Sequence, residues 1–385
     1  MTGQPRHCDT GMGSFYGMFL YEQIIPKDHF MRALKNLFDW DELGQGLISL
    51  YDGKGEQGRR PYNPILIFKM LLLSYLMDLS ERDTERWVNE NMPARFFLDI
   101  AADRAAPDHS TLTTFKKRLL VQKKWEALGG IFDGLLCQMR EHGLDFGEIQ
   151  IVDSVHTCAD VNAEKDKARQ EQGQAPRDPD ATVVHKGKRE VVEANGQRVK
   201  KEITHRGYKT HSSVAVKTGI VTSIVPDRGR SADNKAFAAL LAHDRSLGLP
   251  TTTYGGDKAY DDTAIFEQIE VVDMHVGINL RRFRTSKKDA NKERWIALQA
   301  TSEYQEAARL RSRVEQPFGQ AKDKHGFERC RYLGLARYGI QSFLTFMVVN
   351  LKRAVKLLVN ITFRPQAKGR RAEVFEPVYA GLPWA

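Results

Sequence analysis

Apolar residues recur at helical spacing through the first third of the chain. Residues 30–38 place them at i, i+4, i+7 and i+8, the pattern of a helix with one buried face. A second helix should begin at Pro64 with Asn63 as its cap. It is apolar almost all round and is therefore expected to form the buried centre of a first domain.

Three shorter helices are predicted next. Ser80 opens one that runs through Asn91, Pro93 opens another, and the stretch TLTTFKKRLL, residues 111–120, begins a third. The third helix turns its apolar residues inward and should expose Thr113, Thr114, Lys116 and Lys117. Three helices that end in such a face suit a helix-turn-helix type of DNA binder. Packed three-helix units without a DNA function are at least as common.

The hydrophobic period changes at Gly147, where an α/β domain is predicted to begin. GEIQIVDSVH predicts a buried strand that ends near Asp153, and residues 205–229 predict a hairpin. A fourth strand should end just before Asp257, and a fifth should span residues 271–280. With the intervening and following helices, the pattern indicates a mixed five-stranded sheet with flanking helices.

The domain limits follow from these changes of pattern. Residues 1–145 are predicted to form an all-α domain and residues 146–360 the α/β domain. A polar, basic insertion at residues 160–204 is expected to be a loop or weakly ordered, and residues 361–385 a basic tail.

Composition narrows the class of partner. A net charge of +9 and a pI of about 9.2 favour an anionic partner, nucleic acid first, although membrane-surface proteins share this balance. No apolar run reaches transmembrane length, and the N-terminus lacks the apolar core of a secretory signal. The four cysteines have no metal-ligand spacing, so reduced thiols in a cytoplasmic protein are expected.

Three acidic residues are placed to meet at one edge of the sheet. Asp153 and Asp257 lie at strand ends, which converge in α/β sheets. A helix predicted over residues 303–323 carries Glu315, with Arg311 one turn before it and Lys322 two turns after it on the same face. Carboxylates so arranged can hold two hard divalent cations for phosphoryl transfer. The alternatives are a turn residue, a helix cap and an i,i+4 ion pair.

Four motifs in this order, IVDSVH, HRGYKTH, GGDKAYDD and RSRVEQPFGQAK, carry a family resemblance over about residues 150–350. The chain resembles the DDE transposases of the bacterial IS5/IS4 group, close to the IS1182-like type. The stretch that precedes the motifs is similar to the N-terminal domain of the same family. The resemblance implies an RNase H-like catalytic domain in which Asp153, Asp257 and Glu315 bind two Mg²⁺ (or Mn²⁺) ions.

The resemblance also implies a DNA substrate and a set of DNA contacts. The expected activity is cleavage at terminal inverted repeats and joining of the 3′-OH to target DNA, by a homodimer assembled on double-stranded DNA in a bacterial cytoplasm. The expected DNA-contacting residues are Arg311, Lys322, Lys209, Tyr208, Thr113, Lys116 and Lys117. The family signature has a tyrosine where this chain has Ala308, so the aromatic contact is either missing or supplied by Tyr304, one turn earlier.

Two other functions are compatible with the same motifs. One is a metal-dependent nuclease on the same fold without strand transfer. The other is a non-catalytic DNA-binding protein derived from a transposase, against which the intact acidic triad argues.

Overall fold

The structure is a computed structural model. It describes residues 7–12, 15–51, 60–192, 198–286 and 289–364, and the predicted tail at 361–385 lies almost wholly outside these ranges.

The first part of the chain is helical, as predicted. Its α-helices are α1 (Phe15–Ile24), α2 (Phe30–Leu37), α3 (Trp40–Ile48), α4 (Pro64–Leu76), α5 (Glu81–Glu90), α6 (Met92–Phe97), α7 (His109–Leu120) and α8 (Ala127–Glu141). Helix α4 begins as expected, because the Asn63 side chain accepts a hydrogen bond from the Ile65 amide at 2.9 Å and Pro64 needs no partner for an amide. All residues of α4 are buried, and the Lys69 ammonium in it pairs with Asp99 at 2.8 Å.

The second part contains one sheet. Its strands are β1 (Ile149–Cys158), β2 (Thr182–Val192), β3 (Arg198–Ala215), β4 (Ile220–Arg228), β5 (Thr253–Gly256) and β6 (His275–Ile278). β1 pairs parallel with β5 and β5 parallel with β6, whereas β3 pairs antiparallel with β1, β2 and β4. The fold is therefore a mixed α/β sheet preceded by helices.

Helices cover the sheet and connect it to the first part of the chain. They are α9 (Ala163–Glu171), α10 (Asp233–Ser246), α11 (Thr263–Val271), α12 (Lys292–Gln299), α13 (Ser302–Leu310), α14 (Glu315–His325) and α15 (Leu335–Val359). Helix α15 contacts α4, α8 and β4, so one continuous apolar core joins the N-terminal helices to the sheet. The boundary at residue 145 stays a prediction.

The prediction of five strands was wrong by one. Residues 160–204 contain α9, β2 and the first half of β3, where a loop or weakly ordered insertion was expected. The sequence of this stretch lacks the regular alternation of polar and apolar residues from which a strand is recognised. The hairpin turn at Gly219, with φ at +68°, is where the sequence placed it.

The helix predicted over residues 303–323 is interrupted. A 3₁₀ turn, Arg311–Val314, separates α13 from α14, which begins at Glu315. Pro317 explains the break, because its ring has no amide hydrogen and crowds the carbonyl four residues earlier. Glu315 therefore stands in the first turn of a new helix rather than in the middle of a long one.

Two further expectations can be compared with the structure. None of the described helices is long and apolar enough to cross a membrane. All four cysteines are free.

Candidate active site

Two neighbouring parallel strands carry the two aspartates side by side. Val152 of β1 is paired with Gly256 of β5, so Asp153 and Asp257 are each the next residue along adjacent strands. Asp153 was predicted to lie at the end of β1. It lies inside the strand, because β1 continues against β3 to Cys158. It lies instead where the parallel pairing with β5 stops.

Small residues bring α13 close to these strands. A side chain at Gly255 would clash with Ile151 and approach Ala307 of α13 to 3.2 Å, and one at Gly277 would also clash with Ala307. Glycine in β5 and β6 therefore lets α13 pack directly on the sheet. This packing fixes where α13 ends, and so where the turn that carries Arg311 meets β1.

Arg311 lies between two of the three predicted acids. Its Nη1 is 3.8 Å from Oδ2 of Asp153, and its Nη2 is 3.7 Å from Oε1 of Glu315. The Asp153 side chain is about one-fifth exposed, whereas that of Glu315 is two-thirds exposed. One buried and one open carboxylate thus face a single cation. The i,i+4 pair considered from the sequence is present, but it extends to a strand residue.

Asp153 has an unusual protonation equilibrium. Burial raises the pKa of its carboxyl from 3.8 to about 6, and the negative charges of Asp257 and Asp233 act in the same direction. A hydrogen bond from the Ser154 amide at 2.7 Å and the charge of Arg311 only partly offset them. A desolvated carboxylate among other carboxylates is a favourable ligand for a cation.

Asp257 has a second role at the end of β5. Its Oδ1 accepts a hydrogen bond from the Ala259 amide at 2.8 Å and caps a 3₁₀ turn, Lys258–Tyr260. The structure therefore confirms the capping role that was an alternative for Asp257. Asp257 is only partly buried.

The carboxylate oxygens of Asp153, Asp257 and Glu315 do not all lie within 4.8 Å of one another. Among the described residues, one group of three side chains has potential ligand atoms within 4.8 Å of one another. It consists of Glu85 on α5 and of Asp108 and His109 at the start of α7. That group has a structural explanation: Asp108 caps α7, and Glu85 accepts a hydrogen bond from the His109 amide at 2.9 Å.

Tyr208 and Lys209, which were expected to contact DNA, are buried in the structure. The Tyr208 hydroxyl donates to Asp178 at 2.6 Å, and its ring stacks on Tyr338 with centroids 4.7 Å apart. The Lys209 ammonium lies 3.1 Å from Asp233 and donates to the Ser231 carbonyl at 3.0 Å. Both side chains therefore have internal partners and face no open surface.

The predicted face of α7 is only partly open. Thr113 donates to Glu81 at 2.6 Å, and Lys116 pairs with the same carboxylate and lies 4.0 Å from the centroid of the Tyr332 ring. Lys116 is therefore not the outward-facing residue that was expected. Thr113, Thr114 and Lys117 are exposed, as predicted.

The remaining predicted contacts are on α13 and α14. Lys322 is exposed on α14. Tyr304 is buried, and its hydroxyl accepts a hydrogen bond from the Leu280 amide at 3.2 Å. Tyr304 thus holds α13 against the end of β6 and does not replace the missing signature tyrosine on the surface.

One residue near the site was not singled out from the sequence. Asp233, the first residue of α10, carries a carboxylate whose pKa stays below its usual range. Burial alone would raise that pKa, but the neighbouring His211 and Ser154 side chains and the charge of Lys209 lower it. An aspartate at the start of a helix is common, so its position alone gave no functional signal.

Comparison with known proteins agrees with the motifs. A family profile described as a transposase domain (DUF772) matches residues 19–118, and one described as a transposase DDE domain matches residues 171–351. The second match includes Asp257 and Glu315 and begins after Asp153.

A distant structural likeness was also found. A cryo-EM structure of a piggyBac transposase synaptic complex with hairpin DNA aligns over 93% of this chain and 78% of that chain, at 8% identity and a TM-score of 0.41. The family matches, which together span most of the chain, identify it as a DDE transposase of the IS1182-like type.

Proposed function

We propose that this protein is the transposase of a bacterial insertion sequence, which cuts DNA at the terminal inverted repeats and joins the freed 3′-OH to target DNA. The observation that carries the proposal is the position of Arg311 between Asp153 and Glu315, with Asp257 beside Asp153 on the next strand. This arrangement supports a site to which two neighbouring strands and one helix each contribute an acid.

The strand arrangement supports an RNase H-like fold for the catalytic domain. The order β4-β3-β1-β5-β6 has three parallel strands and an antiparallel pair, with Asp153 on β1 and Asp257 directly after β5. In this assignment β2 and α9 belong to an insertion between the first acid and the rest of the sheet.

The proposed ligands fit hard divalent cations. Asp153, Asp257 and Glu315 offer only carboxylate oxygens, the donors that Mg²⁺ and Mn²⁺ prefer. Arg311 acts as a stand-in cation, because it shows that positive charge is accommodated between Asp153 and Glu315. Two bound ions would stabilise the attacking and leaving oxygens of an in-line displacement at phosphorus.

The chain's own residues have separable tasks in this proposal. Asp153 is more than half ionised above its pKa of about 6, so it presents a negative oxygen at neutral pH. Arg311 is held by two acids, and its planar fork can turn to a phosphate that enters the site. Lys322, on the same side of α14 as Glu315, would steer the DNA backbone as a point charge.

The partner is proposed to be double-stranded DNA, bound by a homodimer. The N-terminal helices would recognise the transposon end, with Lys117 and Thr114 on the open face of α7. Strong positive net charge supports this interaction through contacts to phosphates.

A cleavage and joining assay tests the proposal and separates it from its alternatives. The substrate is linear DNA carrying the inverted repeats that flank the gene, incubated with a plasmid target and Mg²⁺. The proposal predicts cuts at the repeat ends and insertion into the plasmid. Cuts without insertion would favour a nuclease, and binding without cuts would favour a non-catalytic DNA-binding protein. A matched DNA with scrambled ends should remain intact.

A further inference from the structure

Asp233 connects to the strand beside Asp153. Its Oδ1 lies 3.1 Å from Nζ of Lys209 and 3.3 Å from Nδ1 of His211, two residues on the same face of β3. In the register of β1 and β3, His211 is opposite Ser154, the residue directly after Asp153. The carboxylate of Asp233 is thus held by the strand that pairs with β1 at the proposed site.

The next residue of α10 connects to the loop that follows Asp257. Nδ2 of Asn234 donates to Oδ2 of Asp262 at 2.9 Å. Asp262 also caps α11 and lies two residues after the 3₁₀ turn that Asp257 caps. The first turn of α10 therefore spans from the strand beside Asp153 to the loop behind Asp257.

Asp233 compensates for the burial of two polar side chains of β3, His211 and Lys209. His211 is fully buried, and neither of its ring nitrogens has a hydrogen bond of good geometry among the described residues. Lys209 is also buried, and its charge is balanced by Asp233. Without that carboxylate a buried ammonium would be left unpaired, which is costly enough to move the strand that carries it.

Tyr260 ends the 3₁₀ turn that follows Asp257. Its ring is buried, and its hydroxyl has no hydrogen-bond partner among the described residues. Burial raises the pKa of this phenol well above its usual value, and the charges of Asp233, Asp153 and Asp257 add to the effect. The charges of all three carboxylates therefore act on the same buried side chain.

We propose that Asp233 and Asn234 are positioning residues that set the separation of Asp153 and Asp257, and thereby the affinity of the site for divalent cations. The inference rests on the proposed function, because it takes these two aspartates as metal ligands. Asp233 acts through Lys209 and His211 on one side, and Asn234 acts through Asp262 on the other. Neither needs to touch metal or DNA.

The test measures Mn²⁺ binding to the full-length protein without DNA, by electron paramagnetic resonance and titration calorimetry. Asp233→Asn should weaken Mn²⁺ binding by roughly 10–100-fold, the usual effect of removing a partner outside the ligand set. Asn234→Ala should weaken it in the same direction, by about fivefold, as expected for one lost hydrogen bond. Because Asn234→Ala changes no charge, its effect cannot come from the net charge near the ion.

Asp133→Asn is the matched control. Asp133 contacts His243 of α10 at 2.9 Å, so its substitution makes the same charge change beside the same helix, away from the proposed site. Mn²⁺ affinity should stay at the wild-type value. Where Asp233→Asn fails to fold, as judged by circular dichroism, Asn234→Ala decides.

Wild-type Mn²⁺ affinity in Asn234→Ala, together with wild-type affinity in any folded Asp233→Asn, would overturn the inference. Asp153→Asn in the same titration distinguishes this failure from failure of the proposed function. If Asp153→Asn abolishes binding while the positioning variants do not change it, only the positioning role is wrong. If Asp153→Asn binds Mn²⁺ as tightly as the wild type, the proposed metal site itself is wrong.

Discussion

Arg311 on the 3₁₀ turn lies 3.8 Å from Asp153 on β1. This contact joins a helix connection to the central strand, 158 positions apart in the chain, and the same guanidinium also reaches Glu315 at 3.7 Å. The turn forms because Pro317 interrupts the helix, so the proline indirectly directs Arg311 to the strand.

Arg311→Lys should reduce DNA cleavage and joining although the charge is kept. A lysine ammonium is a single point and cannot reproduce the fork that faces two acids and then a phosphate. Misplacing a phosphate at the site is expected to cost on the order of 10²-fold in rate. The measurement is the single-turnover cleavage rate on repeat-end DNA.

Arg309→Lys is the control for that substitution. Arg309 is exposed on α13 and pairs only loosely with Glu306, at 3.7 Å and i,i+3 spacing. Such pairs contribute about 0.2–1 kcal/mol, so the rate should not change. Equal rates for both variants would make Arg311 an ordinary helix ion pair.

Asp153→Asn should stabilise the metal-free protein at neutral pH. The pKa of Asp153 is about 6 in the folded protein against 3.8 ordinarily, so the folded state binds this proton more tightly. Stability therefore decreases as pH rises from about 4 to about 6, by up to about 3 kcal/mol from this group. Asparagine cannot ionise and avoids that loss.

The check is the melting temperature in the presence of a chelator, at pH 7.5 and at about pH 3. The variant should melt above the wild type at pH 7.5, and the difference should nearly disappear at about pH 3, because this pH lies below the pKa of Asp153 in both the folded and the unfolded state. A lower melting temperature at pH 7.5 would show that the Asp153 carboxylate is well compensated in the fold.

Lys322→Ala should weaken the binding of transposon-end DNA without changing Mn²⁺ affinity. Lys322 is exposed and lies seven residues after Glu315, on the same side of α14. Lys324 is exposed on the opposite side, so Lys324→Ala is the matched control for charge loss. Fluorescence anisotropy with repeat-end DNA should show weaker binding for Lys322→Ala alone. Equal binding by both variants would remove Lys322 from the DNA-facing surface.

Two neighbouring lysines of α7 should behave differently. Lys117→Ala should weaken DNA binding and lower the slope of log Kd against log salt by roughly one unit, since one phosphate contact is lost. Lys116→Ala should instead destabilise the fold by about 1.5–3 kcal/mol, because Lys116 pairs with Glu81 and packs on Tyr332. Salt-dependent anisotropy and urea unfolding measure the two effects. A full-sized stability loss in Lys117→Ala with an unchanged salt slope would reverse the assignment.

The sequence was most informative where periodicity was strong. Helix α4 and strand β1 were predicted because apolar residues mark them. Strand β2 was not predicted, because its lysines, arginine and glutamate hide any apolar face. Local composition does not predict which distant segments of the chain pair as strands.

The sequence was least informative about burial of polar residues. Tyr208 and Lys209 belong to a motif, but their partners Asp178 and Asp233 lie 30 and 24 residues away along the chain. A motif shows that residues matter together and does not show which of them face the ligand. Asp233 was missed for the same reason, since its significance appears only when β3 and α10 are packed together.

The central claim is that Asp153, Asp257 and Glu315 together make DNA cleavage depend on a divalent cation. The most direct measurement is cleavage of repeat-end DNA in Mg²⁺ by Glu315→Ala, with Glu306→Ala, another exposed acid one helix earlier, as the control. The account predicts that Glu315→Ala binds the DNA but does not cut it, whereas Glu306→Ala cuts like the wild type. Cleavage by Glu315→Ala at the wild-type rate would contradict the account.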